Sequence, residues 1–242
     1  MKVSLFITCL SDAIYPRVGE AMVRLLARYG VRLEFPSVQT CCGQPAFNSG
    51  YWDAARQSAK TILQAFEDSD FVISPSGSCT GMIHHYPKLF ERDPVMLEKA
   101  RRLQAKSYEF TQFLVNVLGV TDVGATFPHK VTYHPSCHGS RLLGVKEEPM
   151  ALMRNVKGLE FVPLPFAEDC CGFGGTFAVK MADISGAMVT EKVDHVKETE
   201  AEVLVGLDMA CLMNIGGNLM YRNEPVRVMH LAELLAEGAD LL

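Results

Sequence analysis

Four cysteine landmarks recur along the chain at a nearly constant interval. Cys9 and Cys137 lie 128 residues apart, Cys41 and Cys170 129, Cys42 and Cys171 129, and Cys79 and Cys211 132. The flanking residues repeat with them: Lys2–Cys9 answers Lys130–Cys137, Thr40-Cys41-Cys42-Gly43 answers Asp169-Cys170-Cys171-Gly172, and Asp70–Cys79 answers Glu202–Cys211. Landmarks that hold their offset within four residues mark a duplication, so the 242-residue chain reads as two homologous halves, 1–122 and 126–242. The segment Asp122–Pro128 between them has the composition of a loop.

Within each half, short β-rich runs alternate with longer helical patterns, the signature of βαβ units and a parallel sheet. Strands are expected near Val3–Thr8, Arg32–Phe35, Phe71–Ser74 and Ser107–Phe110, and near Lys130–Tyr133, Leu159–Val162, Val203–Gly206 and Val226–Met229. Pro16 opens a helix that closes at Gly30, with Ala21, Met22, Leu25 and Leu26 on one face. A second helix runs from Tyr51 to Phe66. Its counterpart, Met181 to Glu198, carries an apolar stripe of Ile184, Met188, Val189, Val193 and Val196. The methionines of these stripes, Trp52 and the phenylalanines read as core residues. The expected fold is α/β: two Rossmann-like halves, each a mainly parallel sheet of about four strands flanked by helices, related by pseudo-two-fold symmetry.

Composition narrows the function. Lys and Arg number 23 against 28 Asp and Glu, a net charge of −5 with no long like-charge run, which gives nucleic acid or an anionic membrane nothing to hold. No apolar run approaches the roughly 18 residues of a spanning helix. The run Val3–Cys9 looks like a leader at first sight, but its apolar core is short and Asp12 ends it without a small-residue cleavage site, so it reads as a buried first strand. The eight cysteines are therefore expected in a reducing cytoplasm, where clustered thiols hold metal or do redox work.

Every cysteine follows an expected strand. In a parallel sheet those loops lie at the carboxyl edge, where α/β folds build their sites. Each half thus gathers a quartet, Cys9, Cys41, Cys42 and Cys79 in one and Cys137, Cys170, Cys171 and Cys211 in the other, with no cysteine left over. Disulfides suit short exported proteins of under about 100 residues. Mononuclear zinc usually takes cysteines in pairs about two to four residues apart, and no Cys-x-x-Cys occurs here. In extended chain, adjacent side chains point apart, so one ion is awkward for Cys41 and Cys42 together, whereas a polynuclear iron–sulfur cluster offers separate atoms. Gly43 and Gly172, with Gly174 and Gly175, let backbone pass close to a bulky inorganic group and aim N–H donors at its sulfurs. A nucleotide loop is the rival reading of Cys171–Thr176, but it lacks the phosphate-loop lysine and does not follow the first strand.

Three segments carry a family likeness: Cys41-Cys42-Gly43-Gln44-Pro45-Ala46-Phe47-Asn48-Ser49-Gly50 after Phe35-Pro36, Tyr133-His134-Pro135-Ser136-Cys137, and Cys170-Cys171-Gly172-Phe173-Gly174-Gly175-Thr176-Phe177. With them the chain resembles the cysteine-rich CCG domain family of the heterodisulfide reductase B subunit and the glycolate oxidase iron–sulfur subunit, and most closely its lactate utilization protein A group. The resemblance implies a cytoplasmic iron–sulfur protein, and four thiolates in each half suit an ordinary [4Fe-4S] cubane, two clusters for the eight cysteines. It also implies partners, a ferredoxin-like iron–sulfur subunit and a third subunit of a complex oxidising L-lactate to pyruvate. Fuller members end each motif with Cys-x-x-Cys; here the earlier position is Ser76 or Asp208, so one ligand per half is missing and the non-cubane, disulfide-cleaving cluster of the reductases is in doubt. Asp208 and Ser76 read as a helix cap and a turn residue.

His134 and His138 flank Cys137, where a histidine can ligate iron or relay a proton, but by strand alternation both are expected to point away from its face and to serve as packing or exposed residues. His84, His85 and His230 read as structural, and Arg141 and Lys180 as candidates for offsetting thiolate charge. No flavin or nicotinamide fingerprint is present, which leaves substrate chemistry to a partner. The expected function is electron transfer through one cluster per half. The alternatives are a cluster-centred redox enzyme of heterodisulfide-reductase type and a zinc-stabilised assembly module without turnover.

Overall fold

A computed structural model describes residues 2–242; Met1, the first residue of the expected first half, lies outside the described residues. In the first half, β1 (Val3–Leu5) leads through α1 (Cys9–Ala13) and α2 (Pro16–Ala27) to β2 (Leu33–Glu34). Then come α3 (Gln44–Asn48), α4 (Trp52–Ala65), β3 (Phe71–Ser74), α5 (Gly77–Leu89), α6 (Pro94–Lys106), β4 (Ser107–Glu109) and α7 (Phe110–Gln112), which runs into a π-helical turn at Phe113–Val117. The second half begins with β5 (Lys130–His134), a π-helical turn at His138–Leu142, α8 (Glu147–Arg154) and β6 (Glu160–Phe161). It continues with α9 (Phe177–Lys180), α10 (Ala182–Glu198), β7 (Val203–Gly206), α11 (Met209–Tyr221), β8 (Arg227–His230) and α12 (Leu231–Gly238).

The two sheets are wound alike, β2-β1-β3-β4 and β6-β5-β7-β8, with every pairing parallel. Val3 pairs with Phe71 in one sheet and Val131 with Val203 in the other, so the duplication extends to register. In each half the strand order reverses beside the first strand, and the crevice outside the carboxyl ends there is where open α/β sheets place ligands. The cysteines that follow the first and third strands of each half flank that crevice.

Periodicity placed the helices on the right faces. Ala21, Met22, Leu25 and Leu26 of α2 are sealed from solvent, each large side chain contributing about 1.5–3 kcal/mol by burial. The largest core cluster joins the halves, bringing Val3, Leu5, Met22 and Phe110 together with Val131, Tyr133, Leu231 and Leu235. The connecting segment is irregular yet buried at Val123, Ala125 and Phe127, so it is part of that shared core. Two smaller clusters back the cysteines, one around Phe6, Ile62 and Tyr86 and one around Val193, Leu204 and Leu212.

Some apolar residues lie elsewhere than expected. Trp52 is 56% exposed on the first turn of α4, lining an open groove with Phe47, Arg56 and Lys88. Phe35, Phe166, Met181, Met220 and Ile184 are exposed too. Trp52 and Ile184 occupy the first turns of their helices, while Val189, Val193 and Val196, further along the stripe of α10, are buried. Among the described residues, no helix is long and apolar enough to cross a membrane.

The halves also meet through equivalent residues. Ser76 and Asp208 form an isolated antiparallel bridge, so the local two-fold axis passes between them. Beside it a Cβ on Gly77 would stand 2.7 Å from Ser136 Oγ and 2.8 Å from Gly139 Cα, a backbone approach that any larger residue would push apart.

Candidate metal centre

The first quartet assembles because three strands end at the same edge. Cys9 opens α1, whose cap is the Thr8 hydroxyl accepting from Ser11 N. Cys79 lies in the first turn of α5, its N–H donating to Ser76 Oγ at 3.1 Å. Cys41 and Cys42 arrive on the loop after β2, and Gly43, at φ +86°, turns the chain so that its N–H donates to Cys41 Sγ at 3.5 Å. Tyr86 fixes the loop from beneath, its hydroxyl donating to Cys42 O at 2.8 Å. The thiols form one chain of neighbours, Cys9 against Cys41, Cys41 against Cys42, and Cys42 against Cys79.

The second quartet repeats this with its own details. Cys137 precedes the π-helical turn, and Cys211 lies in the first turn of α11, capped by Asp208 accepting from Ala210 N at 3.1 Å. Gly172, at φ +82°, donates to Cys170 Sγ at 3.4 Å. Here the Cys171 carbonyl is held by Asn214 Nδ2 at 2.7 Å. The neighbours run Cys137, Cys170, Cys171, Cys211. All eight cysteines are free thiols.

Crowding sets their charge. Hydrogen bonds from Cys42, Cys9 and the Gly43 N–H pull Cys41 far below the ordinary thiol range, while Cys9 and Cys42, donating to it, are pushed up. Cys170 is lowered in the same way by Cys137, Cys171 and Gly172, and Cys137 and Cys171 are raised. Cys41 and Cys170 thus ionise readily, while their neighbours Cys9, Cys42, Cys137 and Cys171 resist ionisation through their hydrogen bonds to sulfur, burial and like charge. Bound metal removes that resistance, because its positive charge favours deprotonated sulfur. Four converging thiols with N–H donors aimed at one of them fit a thiophilic metal or an iron–sulfur group.

The residues around the thiols refine the expectations. His134 does not point away: a ring nitrogen of His134 and the Sγ atoms of Cys171 and Cys211 all lie within 4.8 Å of one another. The alternation argument fails because β5 ends at His134 and the chain turns through Pro135 and Ser136 before Cys137. Burial pushes His134 down to about 3, so it is neutral. His138 accepts from Gln44 Nε2 across the halves at 3.2 Å, which leaves its Nδ1–H facing Cys137 Sγ at 3.6 Å. Asp208 is buried and committed, accepting from Ser78 N at 2.8 Å and Ser76 Oγ at 3.0 Å besides its own helix. Both positions act as caps and as the joint between halves.

His230 caps α12 and donates to Pro75 O; His84 donates to Ser107 O, and His85 stacks on Phe47. Arg141 is bound to Glu168, and Lys180 lies over the Tyr51 ring at 5.3 Å. Lys192 lies within the polar pattern of α10, yet its ammonium is drawn inward to the segment that leads to Cys170 and Cys171. It is buried, donates to Phe166 O at 2.6 Å, and is lowered by burial against the opposing pull of Asp169, Cys171 and Cys170.

The chain is similar to known proteins in sequence and in fold. The family model for the cysteine-rich domain, CCG, matches residues 3–84 and again 131–216. Over 235 residues the chain is 57% identical to lactate utilization protein A of Geobacillus thermodenitrificans, covering 97% of this chain and 98% of that one. The Bacillus subtilis protein of the same name is also 57% identical over 235 residues, covering 97% and 99%. A hypothetical protein from Helicobacter pylori superposes with a TM-score of 0.68 at 9% identity, over 98% of this chain and 49% of that one, a likeness of fold.

Proposed function

Since the chain belongs to the lactate utilization protein A family and is built on two cysteine-rich CCG domains, we propose that it is an iron–sulfur electron-transfer subunit in the oxidation of L-lactate to pyruvate. In this reading each half holds one four-iron cluster, by Cys9, Cys41, Cys42 and Cys79 and by Cys137, Cys170, Cys171 and Cys211. The observation that carries it is the convergence of all eight thiols into two quartets of neighbouring sulfurs, one at each crevice. Bound clusters would supply one-electron transfer. The chain's own part is to hold and tune: Gly43 and Gly172 N–H groups and His138 Nδ1–H withdraw charge from sulfur, which raises a reduction potential.

Substrate chemistry falls to partner subunits, a ferredoxin-like iron–sulfur protein and a third component, in a reducing cytoplasm. With Asp208 committed to caps, neither half gains a carboxylate in place of the absent fifth ligand, which favours electron relay over disulfide cleavage. Protein purified under argon is expected to be brown, with iron matched by acid-labile sulfide. Colourless protein carrying stoichiometric zinc would overturn the reading in favour of an assembly module.

A further inference from the structure

Both ring nitrogens of His134 are buried without a hydrogen-bond partner. A buried imidazole with neither nitrogen satisfied is uncommon in a folded protein and calls for a partner of its own. The repeat sharpens this. The residue three before Cys137 is His134 and the residue three before Cys9 is Phe6, which seals the same position by edge-on packing with Phe66 at 5.7 Å. An apolar ring therefore suffices to build the wall, and the second half has a nitrogen donor there instead.

That donor shares its surroundings with Cys171 and Cys211, and three donors within 4.8 Å of one another can meet at one metal atom. We propose that His134 is a metal ligand in the second half, so that the two centres differ: all-thiolate in the first, thiolate and imidazole in the second. The proposal rests on the reading that the second quartet holds metal, and it deepens that reading by naming a donor outside the cysteine repeat.

The test uses the full chain, grown with ¹⁵N-histidine and prepared metal-free under argon. One portion is reconstituted with iron and sulfide and reduced, another is loaded with Co²⁺ alone, and both are examined by pulsed paramagnetic resonance. A directly bonded histidine nitrogen is expected in the wild type, lost in His134→Phe and retained in His138→Phe. His134→Phe is also expected to weaken Co²⁺ binding at the second site by roughly tenfold or more. Phe6 shows that a phenyl ring packs at this place, and the wild-type signal needs no variant. Metal bound without a nitrogen coupling, or with one that survives His134→Phe, overturns the proposal and leaves the iron–sulfur reading standing. Nitrogen-coupled Co²⁺ in a chain that never assembles iron and sulfide does the reverse, and refusal of both metals overturns both.

Discussion

Behind the thiols of the first half stand Phe6 and Ile62, both apolar and sealed from solvent; the second half has His134 and Lys192 in their places. The matching of Lys192 to Ile62 follows from the glycines of the doubled-cysteine loops, since Gly43 packs on Ala55 of α4 and Gly172 on Ser185 of α10, 130 residues apart like Ile62 and Lys192. The cysteine carbonyl is tied down by Tyr86 in one half and by Asn214 in the other. Even the caps after the fourth strands have diverged, Glu109 in one half and His230 in the other, each closing a capping box. Strand register and the thiol positions are common to both halves, while the side chains that set polarity around them are not. Duplicated backbone preserves a ligand frame; divergence of the wall behind it makes two sites of different character from one design.

The largest effect that tests this comparison is metal loss. Cys42→Ser is expected to remove the iron of the first half and Cys171→Ser that of the second, each about half of the total by iron and sulfide assay. Loss of all iron from one substitution would mean that the Ser76–Asp208 joint couples the sites.

Next come the two caps. Burial raises Glu109 to about 7, against the pull of its bonds to Thr111 and Gln112, so its contribution to stability is complete below its ordinary value of 4.5 and is lost as pH rises through 7. Burial lowers His230 to about 4, so its contribution is complete above 6.5 and is lost as pH falls through 4. Each is worth up to about 3 kcal/mol, and between pH 4.5 and 6.5 they oppose one another. Urea unfolding of Glu109→Gln should therefore show stability increasing with pH across that window relative to wild type, and His230→Asn the opposite trend. Parallel curves for all three proteins would remove the caps from the account of how the halves differ.

The smallest contrast lies in the loop glycines. Both adopt left-handed backbone, so alanine costs about 1–2 kcal/mol at either place. At Gly172 the new methyl would also stand 2.7 Å from Ser185 O, against 3.3 Å from Ala55 O at Gly43, adding about 1 kcal/mol or more. Denaturation midpoints that fall equally for Gly172→Ala and Gly43→Ala would show that the Ser185 backbone yields without penalty.

Much of this could be read from the chain before it was folded. Strands such as Phe71–Ser74 and Val203–Gly206 stand where β-rich runs end in turn signals, and the α2 face follows from spacing alone. What escaped reading depends on geometry that one-dimensional patterns do not carry. Alternation turns His134 away from the thiols, but it holds only while a strand continues, and this strand stops at that residue. Lys192 has no sequence signal to set it apart, because its inward direction comes from the Phe166 and Ala167 carbonyls that accept from its ammonium. Trp52 reads as core by residue type, whereas it stands on the first turn of α4, 56% exposed beside an open groove.

By itself, the order of residues determined the duplication, the α/β alternation and the loops that bear sulfur, because hydrophobic periodicity and turn chemistry act over a few neighbours at a time. Only the tertiary structure decided that Ser76 meets Asp208 on an axis between the halves, and that an imidazole faces Cys171 and Cys211. Those meetings join residues far apart along the chain, and their partners are chosen by close packing of whole elements, which no local pattern encodes.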